Sequence, residues 1–239
     1  MRHIFHQIPW IYPKDIIELR ELYQRHGTLE HYKKGTIIKS RGESQRLFYL
    51  VDGLCMYYAN YVENNPMSFS LVLPERTMGD ITCITKQHVN VTTIVIRDAD
   101  ILVVPPDILL EAMRKDAELA IKICRHVVAK QESSLEAVIT NMSCEPAQRL
   151  KILLKSMLLE SGVEINEGWY PVPLTLTHEE YGQIINVTRV TISRILTHWQ
   201  SERLICRENK TIIVHHRLFD DVYDWLHYFP ENNGCSRYK

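Results

Sequence analysis

The sequence predicts an α+β protein with an all-β N-terminal domain over residues 1–115, a long helix over 116–142, and a small, mainly helical C-terminal domain over 146–230. Three observations predict it. Across 28–104, short β-prone runs alternate with turn residues, the texture of a small sandwich or roll. Across 116–142, apolar and small residues recur at helical spacings of three and four. Across 174–205, two short helical patterns flank a tight turn, and a β-prone pair follows.

In chain order, residues 14–26 (KDIIELRELYQRH) read as a short amphipathic helix stopped by Gly27. The strands drawn in the roll are 36–38, 47–51, 55–59, 67–73, 91–96 and 101–104. Gly35, Gly42, Gly53, Gly79, Asn64-Asn65-Pro66 and Pro74 fall at the turns. Pro105-Pro106 closes the roll, and Asp107 opens a short helix through Ala112. On the long helix, Ala120, Ile123, Val127, Lys130/Gln131, Ser134, Val138 and Asn141 lie near one face. That seam, apolar at its start and polar in its middle, suits pairing with a second copy; packing on the roll is the plain alternative. Ser143-Cys144-Glu145-Pro146 reads as a linker, with Pro146 suited to the first turn of the next helix. That helix, 147–159, offers Leu150, Leu153, Leu154, Met157 and Leu158 to a second core. A hairpin around Gly168 follows. Leu218, Val222, Trp225 and Leu226 mark a C-terminal helix, with a frayed tail from Pro230.

The stretch 174–214 carries the chemistry. Thr177 stands three residues before Glu180, the spacing of a capping box, so a helix starts there. Tyr181, Ile184 and Ile185 give it an apolar face. Asn186-Val187-Thr188 interrupts it, and Thr188 suits the N-cap of a second helix. There Ile192, Ile195, Leu196 and Trp199 recur at i, i+3, i+4 and i+7 as a buried stripe. Gly182 lies where two steeply crossing helices need a close backbone approach. The opposite face carries Arg189, Val190, Ser193, Arg194 and Thr197. Arg can bridge guanine O6 and N7, Ser and Thr can bond a base or phosphate, and Val can touch a thymine methyl. A helical hairpin with merely solvated arginines would show the same two helices. The polar turn Arg207-Glu208-Asn209-Lys210 between β-prone 203–205 and 211–214 tips the balance, because a wing belongs beside a recognition helix.

Composition limits the rest. With 45% hydrophobic and 24% charged residues, the 239-residue chain is ordinary globular material for two cores. No run approaches the roughly 18 apolar residues that cross a bilayer, and residues 1–13 lack a signal-peptide pattern. A cytoplasmic protein without membrane partners is expected. The net charge of −1 means that DNA binding rests on locally placed cations and is salt-sensitive. Cys55, Cys83, Cys124, Cys144, Cys206 and Cys235 form no C-x-x-C pair and read as free thiols. There is no Ser/His/Asp logic, phosphate-cradling Gly loop or paired metal ligand set, so neither an enzyme nor a metal or other cofactor is expected.

Leu176-Thr177, Glu180, Gly182-Gln183-Ile184, Thr188-Arg189, Thr191-Ile192-Ser193-Arg194-Ile195-Leu196 and Lys210-Thr211-Ile212 resemble the winged helix-turn-helix of the CRP/FNR family of bacterial transcription regulators. Lys34-Gly35, Arg41-Gly42-Glu43 and Phe48-Tyr49-Leu50-Val51-Asp52-Gly53 resemble the β-roll of cyclic-nucleotide-binding-like domains, that family's sensor. The resemblance implies a homodimer paired along the long helix, an effector in the roll, palindromic double-stranded DNA as target and RNA polymerase as a further partner of an activator. Its DNA contacts fall on Thr177, Thr188, Arg189, Val190, Thr191, Ser193, Arg194 and Lys210. Many members carry, where Val190 stands, a Glu that accepts from cytosine N4. Val cannot accept, so the half-site is expected to be A·T-rich, similar to TTAAT. The family's halorespiration regulator also has Val here, which makes aromatic or halogenated effectors a secondary expectation.

The effector residues expected by resemblance are Met78, Asp80, Thr82, Cys83, Thr92 and Thr93 from the roll, with Val127, Lys130, Gln131 and Ser134 from the long helix. Members that bind cyclic AMP use a Gly-Glu pair and a downstream Arg-Ser/Ala. Here Gly79 precedes Asp80, the phosphate position falls near Asn90-Val91, and only Lys86 and His88 stand between Arg76 and Arg97. A buried, unpaired phosphate would be costly, so a different effector is expected. The family's iron–sulfur sensors gather cysteines near the N-terminus, and none precedes Cys55; His88 alone speaks for haem. Lys130 could pair with an anionic ligand or be a solvated helix lysine. A thiol-redox switch and a sensor subunit that binds protein are the competing readings. In the favoured one, effector binding rotates the winged domains about Cys144-Glu145-Pro146 until both recognition helices fit grooves about 34 Å apart.

Overall fold

The computed structural model describes residues 4–39, 46–59, 67–87, 91–165 and 167–222. Expectations placed on Arg41, Gly42, Glu43, Asn64, Asn65, Pro66, His88, Asn90, Trp225, Leu226, Pro230 and Cys235 lie outside the described residues.

The chain opens with a strap, residues 7–13, pinned on both sides before any helix begins. Leu71 N donates to Trp10 O at 2.7 Å, Arg76 Nε to Tyr12 O at 2.5 Å and Ser133 Oγ to Ile11 O at 3.1 Å. Trp10, fully buried, holds a left-handed φ of 62°, a conformation a bulky side chain keeps only where its surroundings force it. Helix α1 (Ile17–His26) starts later than the sequence suggests, because Asp15 is drawn into a buried ion cluster instead.

An antiparallel sheet follows: β1 (Thr28–Tyr32), β2 (Ile37–Lys39), β3 (Leu47–Ala59), β4 (Met67–Val72), β5 (Arg76–Met78) and, after the short helix α2 (Asp80–Thr85), β6 (Val91–Val104). The main order is β1-β6-β3-β4, with β2 on β6 and β5 on β3. The strands drawn as 47–51 and 55–59 are one strand, as are 91–96 and 101–104. Three register shifts between Leu50 and Cys55 bend the β3–β6 pair without ending it. Gly53, at φ 101°, makes the bend possible; a Cβ there would lie 2.4 Å from Asp98 O. β1, β5 and α2 carry no clear periodicity of their own and were not foreseen.

α3 (Pro106–Lys115) runs past Ala112, and α4 (Ala117–Ser143) begins where the Asp116 side chain accepts from Leu119 N at 3.0 Å. α4 has two faces. Ile123, His126, Ala129, Lys130, Ser133, Glu136, Ala137 and Thr140 are buried. Ile121, Cys124, Val128, Gln131, Leu135, Val138 and Met142 are exposed and alternate by three and four along the helix. The seam expected from sequence therefore mixed the two faces: Ile123, Val127 and Lys130 turn inward, and Asn141 donates to Ile184 O at 3.0 Å.

After α5 (Pro146–Ser161), β7 (Trp169–Pro171) leads to α6 (His178–Ile185), α7 (Arg189–Ser201), β8 (Ile205–Glu208) and β9 (Thr211–His215). These last strands form a small sheet in the order β7-β9-β8. Leu218 and Val222 are buried, but a 3-10 turn (His216–Phe219) stands where a helix was expected to begin. One apolar cluster joins Trp10, Met56 and Leu71 of the N-terminal half to Leu150, Met157, Tyr181 and Ile184 of the C-terminal half. Through it the helix-turn-helix is packed against the outside of the roll.

Candidate effector pocket and nucleic-acid interface

Inside the roll lies a cavity of about 140 Å³. One wall is aromatic. The Tyr12 and Tyr57 rings meet edge-on with centroids 5.7 Å apart, and Phe69 lies 5.8 Å from Tyr57. Asp80, Ile81 and Thr82 line it from α2, Val91 and Thr93 from β6, and Lys130, Gln131 and Ser134 from α4.

Lys130 sits at the floor, 1% exposed. Its Nζ lies 2.7 Å from Asp80 Oδ2 and 3.2 Å from Asp15 Oδ1, and donates to Thr77 O at 3.0 Å. His126 Nε2 lies 2.7 Å from the same Asp15 oxygen, and Thr77 Oγ1 donates to the other. Burial alone would push the Asp15 carboxyl up, but Lys130 and His126 outweigh it and hold it below its ordinary range. Burial likewise opposes charge on Lys130, yet the two carboxylates push its pKa up to about 12. Lys130 is thus neither solvated nor a free cation awaiting an anion; its charge is already matched.

Six of the ten residues expected at the effector site line this cavity: Asp80, Thr82, Thr93, Lys130, Gln131 and Ser134. The other four point elsewhere. Met78 fills the roll's core. Cys83 packs beneath α3 with its thiol directed at Pro106 O, 3.5 Å away. Thr92, next to Thr93 on a strand, faces the opposite side of the sheet. Val127 packs on the cluster under α1 and α3. The aromatic wall was missed. Tyr57 shares the inward phase of the buried Cys55 on β3, and that alternation was the available signal.

At the other end, the capping box forms: Thr177 Oγ1 accepts from Glu180 N at 3.1 Å and Glu180 Oε2 accepts from Thr177 N at 2.7 Å. A Cβ on Gly182 would lie 2.6 Å from Val187 O, so the tight turn requires glycine. Thr188 Oγ1 accepts from Thr191 N at 3.2 Å and lies 2.9 Å from Thr191 Oγ1. The hydroxyls of Thr177, Thr188 and Thr191 are therefore engaged in starting helices. Ile192, Leu196 and Trp199 are buried, while Arg189, Val190 (57% exposed) and Arg194 are outward, Ser193 is half-buried, and Lys210 is exposed at the wing. Arg207 Nη2 lies 2.7 Å from His178 Nε2. Burial and the nearby Arg207 and Arg189 hold the His178 pKa below its ordinary value, which marks a locally cationic surface that sequence alone did not assign to His178.

Polar contacts tie this unit to the roll. Arg97 Nη1 and Nη2 grip Glu180 Oε1 and Oε2 at 2.8 and 2.9 Å, and Tyr58 donates to Gln183 Oε1 at 2.9 Å.

A roll with an internal pocket, joined by a long helix to a winged helix-turn-helix, defines a DNA-binding transcription regulator with a sensor domain. Residues 29–116 match the model of the cyclic nucleotide-binding domain, and residues 149–218 match that of the Crp-like helix-turn-helix domain. The chain belongs to the CRP/FNR family of transcription regulators. It is 20% identical over 190 residues to the global nitrogen regulator of Nostoc sp., which covers 78% of this chain and 85% of that protein. A CprK variant complexed with OCPA superposes with a TM-score of 0.65 at 19% identity, covering 90% of this chain and 96% of that one. FixK2 from Bradyrhizobium japonicum gives 0.70 at 17% identity, covering 80% and 95%. Among the described residues no helix is long and apolar enough to cross a membrane, and no group of three or more His, Cys, Asp or Glu is placed to hold a metal ion.

Proposed function

We propose that the protein is a homodimer that binds palindromic, A·T-rich DNA and is switched by a small molecule, other than cyclic AMP, in the roll. The observation that carries the DNA reading is the outward face of α7, where Arg189, Val190 and Arg194 stand exposed beside Ser193 and the wing's Lys210. The dimer is supported by the exposed α4 stripe, whose alternation of three and four is the coiled-coil spacing. Two features argue against cyclic AMP. The cavity of about 140 Å³ is small beside the roughly 300–1,000 Å³ of drug-sized sites. No arginine is among the described residues lining it, and its lysine already has two carboxylates.

The switch would act on the contacts that hold α6 to the roll, Arg97–Glu180 and Tyr58–Gln183, and on the hinge at Cys144-Glu145-Pro146. An effector shifts that equilibrium only by its differential affinity for the two arrangements. The thiol-redox alternative loses two candidates, because burial pushes the Cys55 thiol up to about 12 and Cys83 is buried in the core. The protein-binding alternative offers no use for the exposed arginines. RNA polymerase remains the expected partner of a DNA-bound activator.

Selection from a random duplex library tests the reading. Arg189→Ala and Arg194→Ala should each weaken the selected site by roughly 5- to 150-fold, the equivalent of about 1–3 kcal/mol per base contact. Val190→Glu should move the preference toward a G·C pair. Recovery of the same site by both proteins would sink the Val190 assignment, and no duplex affinity at low salt would favour a protein partner.

A further inference from the structure

We infer that the cavity takes an uncharged single-ring aromatic molecule carrying one hydrogen-bonding group, and that it rejects carboxylates and phosphates. This rests on the sensor reading above and narrows it to a chemical class.

Size comes first. The cavity of about 140 Å³ matches the scale, roughly 150 Å³, at which an apolar protein cavity admits benzene. Its walls suit a ring: Tyr12, Tyr57 and Phe69 form a continuous aromatic side, and Ile81 and Val91 add apolar surface. Aromatic rings favour edge-to-face and offset contact with such a wall.

Charge decides the rest. An ammonium has three N–H donors, and Lys130 directs them at Asp80, Asp15 and the Thr77 carbonyl. Two carboxylates against one ammonium sum to −1; His126 on Asp15 can add at most one positive charge and bring the cluster to zero. The cluster is never net positive. Arg76, the other deeply buried cation nearby, turns to Glu160 at 2.6 Å and to the Pro74 and Tyr12 carbonyls. An entering anion would therefore lose its water beside Asp80 with no spare cation among the described lining residues to meet it. An entering ammonium fares no better. Asp80 already accepts from Lys130 and from Ile81 N at 2.9 Å, and the Lys130 charge repels a second cation.

A neutral donor does have a partner. Ser134 Oγ gives its hydrogen to Lys130 O at 3.3 Å and Ser70 Oγ gives its own to Trp10 O, so both can accept from the Tyr12 hydroxyl, which lies 3.1 Å from Ser134. The Tyr12 oxygen then keeps a lone pair for a ligand O–H or N–H, with Thr93 and Gln131 within the same lining.

The test is calorimetric titration of the full-length protein near neutral pH with phenol, benzyl alcohol, benzoate, benzylamine and cyclic AMP, alongside gel shifts on the same samples. Phenol and benzyl alcohol should bind at least about tenfold more tightly than the charged compounds, whose burial is uncompensated. Asp80→Asn removes the carboxylate nearest the ligand and brings the cluster from −1 to zero with His126 neutral, so benzoate should gain roughly tenfold over its affinity for the wild-type protein. Thr93→Ile, which fills the cavity, should abolish binding of the neutral rings with the circular dichroism spectrum unchanged. Tighter binding of benzoate or benzylamine to the wild-type protein, or no binding of either neutral ring at millimolar concentration, overturns the inference whether or not Asp80→Asn folds. Duplex binding with no response from the panel overturns the ligand class alone. Panel binding that never alters duplex affinity overturns the switch and keeps the class.

Discussion

Replacing Lys130 by methionine asks whether the ion cluster holds the sensor together. The side chain is 1% exposed and stands between Asp15 and Asp80, at 3.2 and 2.7 Å. Methionine keeps most of the apolar stem, so the volume change is small. What is lost is the cation. Breaking a buried ion pair by removing one partner costs about 3–5 kcal/mol, because the other charge stays buried and unpaired. At roughly 2–4 °C per kcal/mol for a chain of this size, the melting point should fall by about 6–20 °C. Thermal unfolding followed by circular dichroism measures it. The deficit should shrink below about pH 5, since carboxylates deprived of their cation take up protons more readily. Adding Asp80→Asn to Lys130→Met restores the original balance: one carboxylate remains where two faced one ammonium, again −1 with His126 neutral. The double variant should recover about 1–3 kcal/mol relative to the sum of the two single changes. A Lys130→Met protein as stable as the wild type would refute the reasoning.

Other outcomes follow from the same geometry. Leu135→Glu places a charge on the exposed stripe of α4, where Leu135 is 48% exposed; sedimentation should show monomers whose roll still melts normally, and an unchanged dimer would exclude that face as the seam. Asp15 and Glu180 both titrate below their ordinary values, so the stability they add is complete above about pH 4.5 and is lost as pH falls through the lowered values; urea midpoints insensitive to pH down to about 3 would contradict this. His178 is held below its ordinary pKa by burial and by Arg207 and Arg189, so a bound phosphate should raise it again. Duplex affinity should therefore climb as pH falls through the histidine range, with proton uptake that His178→Ala removes. Gly182→Ala would put a methyl 2.6 Å from Val187 O; the expected loss is about 1–3 kcal/mol together with weaker duplex binding, and a neutral result would mean the turn can open.

What sequence could supply differed between the two halves. The helix-turn-helix was legible because its signals are local: Thr177 and Glu180 are three residues apart, and the buried stripe of α7 repeats within one helix. The long strand β3 was cut in two because Gly53 reads as a turn while acting as a bend inside a bulged strand, and β6 because the polar run Arg97-Asp98-Ala99-Asp100 interrupts its apolar pattern. On α4 a single periodicity was read where the helix serves two partners, the roll on one face and solvent on the other. The floor of the cavity was hidden for another reason: Asp15 meets His126 across 111 residues of sequence, and no spacing rule reaches that far. Lys130 could be singled out by position, but its two carboxylates could not.

The strap at the start of the chain sets a limit on how this sensor can be moved about. Tyr12 supplies one of the rings around the cavity and Asp15 a counter-charge beneath it, yet both precede residue 29, where the match to the cyclic nucleotide-binding domain begins. Lys130, Gln131 and Ser134 lie past its end at residue 116. A transplant cut at those borders would carry a barrel open at top and bottom, whereas a chimera that means to keep this specificity must take the amino terminus and most of α4 along with it.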